Sequence, residues 1–349
     1  MSELLEEKIK NYGFESQTEY LECLQKFYAG IQDFLHYPYA PYINHNPVIW
    51  QNGSSKLIDF GLPDKLYDKI ILFIPSFINK SYILDLTEQR SLLKFCASSN
   101  HRPVLLDWGS PTEAEQNYDC AAYIINKVMP AIAHLRQSGK EVVLAGYCLG
   151  GLVAVATAQL MPNDVHGLIL LATPWDFTHF QEKTIALQHG IDMALSCQSS
   201  IPSANLRYFF YSFLPQEKIY GKFIKFSQSL GDKQKSELFV AVERWAMDDM
   251  LIAKGVFNEC ALDFISLNKP LNNQWQVADQ IINPSAIKIK SLIVAPTKDT
   301  IVPYNSVTAL INLLPKSNVI LPDSGHVGMI IGEKAEKQLW QPMLVWLES

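Results

Sequence analysis

The residue types and spacing around Cys148 could support nucleophilic chemistry. The motif Gly146-x-Cys148-x-Gly150 follows an apolar run over residues 141–145 and precedes small residues over 152–159. This is the pattern of a nucleophile elbow, a strained turn from strand to helix, with cysteine in place of serine. Backbone N–H groups at the helix N-terminus favour a thiolate and can hold an oxyanion. A glycine-flanked cysteine can also be a small buried hydrophobe, but the flanking strand and helix favour a nucleophile.

The nucleophile requires a base and an acid, and their expected places are loops near the end of the chain. In the α/β-hydrolase plan the chain order is nucleophile, acid, base, with the histidine after the last strand. His326 follows the last predicted strand and has Gly325 before it, so it is the predicted base. Asp299 lies after the preceding strand and is the predicted acid, which would orient the imidazole. Asp323 is the competing acid, but its position three residues before His326 is more typical of a turn.

Backbone amides that could hold an oxyanion are expected beside Cys148 and after an early strand. Leu149 follows the nucleophile, so its N–H is the first candidate donor. The second donor should come from the loop after the strand predicted at 69–74, and we expect it at Phe77 or Ile78.

Apolar runs that alternate with helical patterns predict the elements that position these residues. Alternation of this kind is typical of an α/β protein with a mostly parallel sheet and helices on both faces. Strands are predicted at 56–60, 69–74, 103–108, 141–145, 165–172, 291–295 and 318–321. Helices are predicted at 18–35, 87–98, 117–137, 150–161, 304–314 and 335–347.

The same alternation predicts the domain organisation. It stops between about 176 and 285, where aromatic residues such as those of 208–213 are frequent. We therefore predict a helical cap at 176–285, a catalytic core at 56–175 with 286–349, and an N-terminal helix and loop region at 1–55.

Composition excludes several classes of protein. The 349 residues are 48% hydrophobic and 18% charged, with a net charge of −6 and no run of Lys or Arg, which disfavours nucleic acid as a partner. No window approaches the ~18 consecutive apolar residues of a membrane span, and the N-terminus lacks the pattern of a secretory signal. The six cysteines have no metal-site or disulfide spacing, so we expect reduced thiols and no metal.

Several motifs together resemble those of the polyhydroxyalkanoate (PHA) synthases, which are acyltransferases with the α/β-hydrolase fold and a cysteine nucleophile. The resemblance covers about residues 60–349, and Leu152 departs from it where the family often has threonine. The matching segments are Phe77-Ile-Asn-Lys-Ser-Tyr-Ile-Leu-Asp-Leu86, Val104-Leu-Leu-Asp-Trp-Gly-Ser-Pro111, Gly146-Tyr-Cys-Leu-Gly-Gly151, Leu170-Leu-Ala-Thr-Pro-Trp-Asp-Phe177, Glu243-Arg-Trp245 with Asp248, the Asp299 segment and Gly325-His326.

The resemblance implies a polymerase of 3-hydroxyacyl-CoA that grows a polyester chain through an acyl-cysteine. It implies no cofactor, since CoA is part of the substrate and a product, and it implies substrate or cap roles for Trp245, Asp248 and Asp85. The short N-terminal region is similar to that of synthases that work with a separate small subunit. A homo-oligomer at the surface of cytoplasmic polyester granules is also expected. The alternatives are a thioesterase or depolymerase of the same fold, and an inactive granule scaffold.

Overall fold

The computed structural model describes residues 14–183, 200–212 and 216–349. Parts of the predicted N-terminal region and cap, together with Cys197, lie outside the described residues. Within the described part the chain divides into two compact units. One comprises residues of 1–43 and 211–247, and the other comprises residues of 44–210 and 248–349.

The larger unit contains an eight-stranded sheet with the order β1-β2-β4-β3-β5-β6-β7-β8. Its strands, numbered along the chain, are β1 Val48–Asn52, β2 Ser55–Asp59, β3 Lys69–Ile74, β4 His101–Asp107, β5 Glu141–Tyr147, β6 Val165–Leu171, β7 Ser291–Val294 and β8 Ser317–Ile320. The pairs β1–β2 and β2–β4 are antiparallel, and the other pairs are parallel. The predicted α/β-hydrolase fold class, with a mostly parallel sheet, is confirmed.

The central strands form where the sequence is continuously apolar. Successive residues of β3, β5 and β6 are buried, which means that both faces of the sheet are covered. In parallel strands the carboxyl ends lie at one edge, so the segments that follow β3, β5 and β7 come together there. Of the predicted catalytic residues, Cys148 follows β5, Asp299 follows β7, and His326 follows β8, which is parallel to β7.

Helices connect the strands and cover the sheet. Numbered over the described residues, they are α1 Gln17–His36, α2 Leu92–Ser98, α3 Cys120–Tyr123, α4 Met129–Arg136, α5 Leu149–Leu160, α6 Ala204–Tyr211, α7 Gln216–Gln228, α8 Lys233–Met247, α9 Lys254–Asn258, α10 Tyr304–Leu313, α11 Gly328–Ile331 and α12 Gln341–Glu348. Turns of π-helix occupy Ile124–Val128, Glu259–Ser266 and Glu336–Trp340, and 3₁₀ turns occupy Ser81–Leu84, Glu113–Glu115, Thr178–Lys183 and Pro284–Ala286. Among the described residues, none of the helices combines the length and the hydrophobicity that a membrane span requires.

The smaller unit is built from α1, α7 and α8 around an aromatic core. Its buried centre consists of Phe34, Phe223, Phe226 and Val240. A Cβ atom on Gly30 would lie 2.3 Å from the carbonyl oxygen of Phe223, so this glycine allows α1 to approach α7 closely.

Two local predictions are corrected by the structure. Strand β1 was not predicted, although Gly53, with φ of +58°, lies in a two-residue turn that pairs β1 with β2. The helix predicted at 87–98 begins only at Leu92, because Asp85–Thr87 and Arg90–Ser91 form a short hairpin and Ser91 caps the helix.

The predicted domain boundaries differ from the division into compact units. Residues 176–183, 200–210 and 248–285, which belong to the predicted cap, are part of the unit that holds the main sheet. A lid function for 176–285 therefore stays a prediction.

Candidate active site

Cys148 occupies the turn between β5 and α5 with a strained backbone. Its φ is 53° and its ψ is −125°, a region in which residues other than glycine cost about 1–3 kcal/mol. Two hydrogen bonds hold the turn: the Cys148 N–H donates to the Leu171 carbonyl at 2.9 Å, and the Gly151 N–H donates to the Cys148 carbonyl at 2.9 Å. The side chain therefore projects from a rigid strand-to-helix turn, as expected for a nucleophile elbow.

Three glycines make this turn sterically possible. A Cβ on Gly146 would lie 2.5 Å from the Gly151 Cα, and one on Gly150 would lie 2.2 Å from the Ile74 carbonyl oxygen. A Cβ on Gly151 would overlap the side chain of Thr173. The sequence therefore needs glycine at each of these positions for β5, α5 and the end of β3 to meet.

The structure brings Asp299 and His326 into direct contact. The His326 Nδ1 and the Asp299 Oδ2 are 2.7 Å apart, and both residues are buried. The Asp299 Oδ1 accepts the backbone N–H groups of Ile301 at 2.8 Å and Val302 at 2.9 Å. Both carboxylate oxygens are therefore engaged, which fixes the carboxylate beside the imidazole.

Asp323 does not take the place of this acid. Its carboxylate faces Lys298 at 2.7 Å and Lys334 at 3.8 Å on the surface. The hydrogen bond and charge of Lys298 lower the pKa of Asp323, as expected for a solvated ion pair.

The electrostatics of His326 link it to both expected partners. Burial alone lowers the pKa of His326, but the negative charges of Asp299 and Cys148, with hydrogen bonds to both side chains, outweigh burial and raise that pKa to about 10. The ring also stacks on Tyr147, with centroids 5.1 Å apart. The imidazole of His326 thus lies between the Asp299 carboxylate and the Cys148 side chain, an arrangement in which a histidine can activate a thiol.

Burial makes other thiols poor nucleophiles. It raises the pKa of Cys96 and of Cys23, and a hydrogen bond with Cys260 together with burial raises the pKa of Cys120. A protonated thiol is a weak nucleophile, so these cysteines are poor candidates for the nucleophile, whereas Cys148 has the side chain of His326 beside it.

The candidate oxyanion donors stay predictions, and the structure shows what their backbone N–H groups contact. Leu149 is the first residue of α5, whose first N–H groups have no intrahelical acceptor. The Ile78 N–H donates to Ser76 Oγ at 3.2 Å, so Ile78 is not an available donor in this structure. No acceptor for the Phe77 N–H lies among the described residues. The sequence did not predict a role for Ser76, because a serine hydroxyl that accepts the backbone N–H two residues later has no recognisable sequence pattern.

Each of the three residues predicted to have a substrate or cap role has its own set of contacts. Trp245 is buried in α8 of the smaller unit. Asp248 accepts hydrogen bonds from Lys80 Nζ at 2.7 Å and from the Tyr82 hydroxyl at 3.0 Å.

Asp85 is buried, and the Asn44 side-chain amide donates to it at 2.8 Å. Burial raises the pKa of Asp85. The substrate or cap roles of Trp245, Asp248 and Asp85 stay predictions.

The described residues of the site do not form a set of metal ligands. Among the described residues there is no group of three or more His, Cys, Asp or Glu side chains that could hold a metal ion. The site instead offers a thiol, an imidazole, a carboxylate and backbone amides, a set that supports acyl transfer through a covalent intermediate.

Comparisons with known proteins show which sequences the chain resembles. A family model described as the alpha/beta hydrolase fold matches residues 69–333. The chain is 26% identical over 285 residues to the poly(3-hydroxyalkanoate) polymerase subunit PhaC of Allochromatium vinosum, covering 80% of each chain. It is also 26% identical to PhaC of Synechocystis sp., covering 80% of this chain and 77% of that one.

Solved structures resemble the chain in fold. A hydrolase from Pseudomonas aeruginosa aligns with a TM-score of 0.58 at 14% identity, over 88% of this chain and 100% of that one. The thioesterase domain from the curacin biosynthetic pathway aligns with a TM-score of 0.53 at 15% identity, over 88% and 99% of the two chains.

Proposed function

The chain belongs to the α/β hydrolase fold family, and from that premise we propose that it is a poly(3-hydroxyalkanoate) polymerase that uses 3-hydroxyacyl-CoA thioesters. The observation that carries this proposal is a cysteine at the nucleophile elbow beside a buried histidine–aspartate pair. Similarity to the PhaC subunits over 80% of the chain supports the polymerase over other acyl transfers on this fold.

The first half-reaction loads an acyl group onto Cys148. The thiolate attacks the thioester carbonyl, and the amides of Leu149 and Phe77 stabilise the oxyanion of the tetrahedral intermediate. The bond between the carbonyl carbon and the CoA sulfur then breaks. The imidazolium of His326 gives its proton to the departing CoA thiolate, so CoA leaves as the thiol and the imidazole becomes neutral.

The second half-reaction forms an ester. Neutral His326 accepts the proton of a 3-hydroxyl group as that oxygen attacks the acyl-Cys148 carbonyl, and the thiolate leaves. Because both oxygens of Asp299 are occupied, His326 rather than Asp299 is the base for the hydroxyl. Each cycle lengthens the polyester by one unit and restores the thiolate–imidazolium pair.

Hydrolysis is the alternative fate of the same intermediate, since water in place of the hydroxyl would give a thioesterase or depolymerase. An apolar environment that excludes water would favour transfer to the hydroxyl. An inactive granule scaffold is disfavoured because such a protein has no need to hold Asp299 against His326 beside a strained Cys148.

We extend the proposal to the setting of the enzyme. A small helical partner subunit would raise its activity, and the enzyme would act as a homo-oligomer on cytoplasmic polyester granules. It would need no cofactor beyond the CoA of its substrate.

Incubation of the purified chain with 3-hydroxybutyryl-CoA tests the function directly. CoA release is followed with a thiol reagent, and the product is separated into polymer and free acid. We expect CoA release with an insoluble polyester as the main product. Stoichiometric free acid would indicate a hydrolase, and no CoA release would contradict enzymatic function.

Cysteine variants connect that activity to the site. Cys148→Ala should abolish polymer, and Cys148→Ser should leave at most a small remnant, because a hydroxyl is far less acidic than a thiol. Cys23→Ala is the matched control and should retain full activity. A mass-tagged acyl group should appear on the peptide that holds Cys148, and substantial polymer from Cys148→Ala would refute the nucleophile assignment.

A further inference from the structure

Trp108 lies directly after β4 and is held firmly by its surroundings. Its side chain is 3% exposed, and its carbonyl accepts the Ser55 hydroxyl at 3.4 Å. The following residue, Gly109, has a φ of +65° and packs where a Cβ would lie 2.3 Å from the Ser54 carbonyl oxygen. The backbone that carries the indole is therefore anchored to the β1–β2 hairpin.

The indole contacts the loop after β3 at two points. Its Nε1 donates to the Pro75 carbonyl at 3.1 Å. Its ring stacks on Phe77, with centroids 4.4 Å apart and planes 21° apart. Tyr123 packs against both rings, with centroids 5.4 Å from each. Trp108 thus restrains Pro75 and Phe77, the residues on both sides of Ser76.

That loop abuts the nucleophile elbow. A Cβ on Gly150 would lie 2.5 Å from the Pro75 carbonyl oxygen, so the start of the loop contacts the N-terminus of α5. Since the Ile78 N–H donates to Ser76 Oγ, the Phe77 N–H is the remaining candidate for the second oxyanion donor. An amide in a loop stabilises an oxyanion only if it is fixed before the charge develops.

We propose that Trp108 is a positioning residue that fixes the Phe77 amide as an oxyanion donor for Cys148. The inference rests on the proposed acyl transfer at Cys148. The indole acts through the Pro75 carbonyl and the Phe77 ring and does not touch the reacting atoms. Its loss should slow reactions that pass through a tetrahedral oxyanion and spare reactions of the same thiolate that form none.

Two reagents separate these cases. With p-nitrophenyl acetate the Cys148 sulfur bonds to the carbonyl carbon through an oxyanion, and p-nitrophenolate leaves. With iodoacetamide the sulfur displaces iodide from carbon and no oxyanion forms. Both reactions are measured on the Cys148 peptide by mass spectrometry, and the acylation is also measured as a burst of p-nitrophenolate.

Trp108→Phe removes the indole N–H and keeps an aromatic ring. We expect acylation of Cys148 to slow by at least about 10-fold while alkylation by iodoacetamide keeps its rate. With hydroxyacyl-CoA, kcat should fall with KM unchanged. Trp346→Phe is the matched control, because its buried indole donates to Asn318 Oδ1 at 3.2 Å at the far edge of the sheet. It should change neither rate.

Phe77→Leu provides a second variant, which loses the ring stacking and keeps the backbone amide. It should show the same split between acylation and alkylation. Equal losses in both reactions, or no loss of acylation in either variant, would overturn the proposal. Polymer formation is not needed for this test, so a chain that acylates Cys148 but makes no polymer would contradict the proposed function and leave the role of Trp108 standing.

Discussion

His326 and Asp299 contribute unequally to catalysis because only the histidine exchanges protons with the substrates. We expect His326→Gln to reduce both CoA release and elongation by about 10²–10⁴-fold, the usual scale of general acid–base catalysis. In Asp299→Asn the new amide would face the His326 Nδ1 with a donor, which would place the imidazole proton on Nε2. That tautomer cannot accept the hydroxyl proton, so elongation should fail while slow acylation survives.

Rapid-mixing measurements of the first CoA released, followed by polymer yield, separate these two half-reactions. Asp323→Asn is the control, since Asp323 pairs with Lys298 on the surface and should leave both half-reactions unchanged. Equal, mild effects of His326→Gln and Asp299→Asn would point to a different acid and base.

The raised pKa of His326 predicts a pH-dependent stability. The folded-state pKa of about 10 lies above the ordinary value of 6.5, so the protonated imidazole stabilises the folded state. This contribution is fully present below pH about 6.5 and is lost as the pH rises through about 10. Thermal unfolding of the unsubstituted chain and of His326→Gln should therefore differ most near pH 6 and converge towards pH 10. A difference that stays constant over this range would contradict the charged pair.

At the scale of elements, the meeting of β5, α5 and the end of β3 depends on Gly150. We expect Gly150→Ala to destabilise the fold by about 1–3 kcal/mol or more, because its Cβ would lie 2.2 Å from the backbone oxygen of Ile74. Gly221→Ala, in α7, is the control: no atom lies within 4 Å of its Cβ position, and it should stabilise by about 0.5–1 kcal/mol. Chemical denaturation measures both, and equal effects would contradict the packing argument.

The elements that could be predicted from the sequence are those with a strong local signal. Strands such as β3 and β5 were predicted because burial on both faces makes them continuously apolar. β1 was missed because its residues are half polar, and its pairing depends on a turn at Gly53.

At the site, strand order was enough to predict that Asp299 and His326 would meet. It did not predict that Ser76 accepts the Ile78 N–H, since that hydrogen bond depends on the path of one loop. The contacts of Trp108 with Pro75 and Phe77 likewise depend on packing between distant segments, for which the sequence carries no periodic signal.

At the scale of the whole molecule, we expect the chain alone to show a lag before CoA release. If a resting closed form predominates, a partner that binds the open form better shifts the population towards it. Addition of the proposed small helical subunit, or of short hydroxyacyl primers, should shorten the lag. Progress curves of CoA release measure it, with Cys148→Ala as the blank. Full activity without a lag from the chain alone would contradict the need for a partner.

The contact between α1 and α7 has a consequence for how the protein is made. Gln17–His36 and Gln216–Gln228 pack within one compact unit, yet roughly 180 residues separate them along the chain. At a synthesis rate of about 5–20 residues per second, α1 would leave the ribosome about 10–40 s before its partner helix exists. During that interval the α1 face that carries Phe34 is exposed, because Phe223 and Phe226 of α7 have not yet been synthesised. We therefore expect chaperones that bind apolar helices to bind the nascent chain. Helix α1 is thus synthesised before the larger unit, but the smaller unit can be completed only after residues 44–210 of the larger unit have been synthesised.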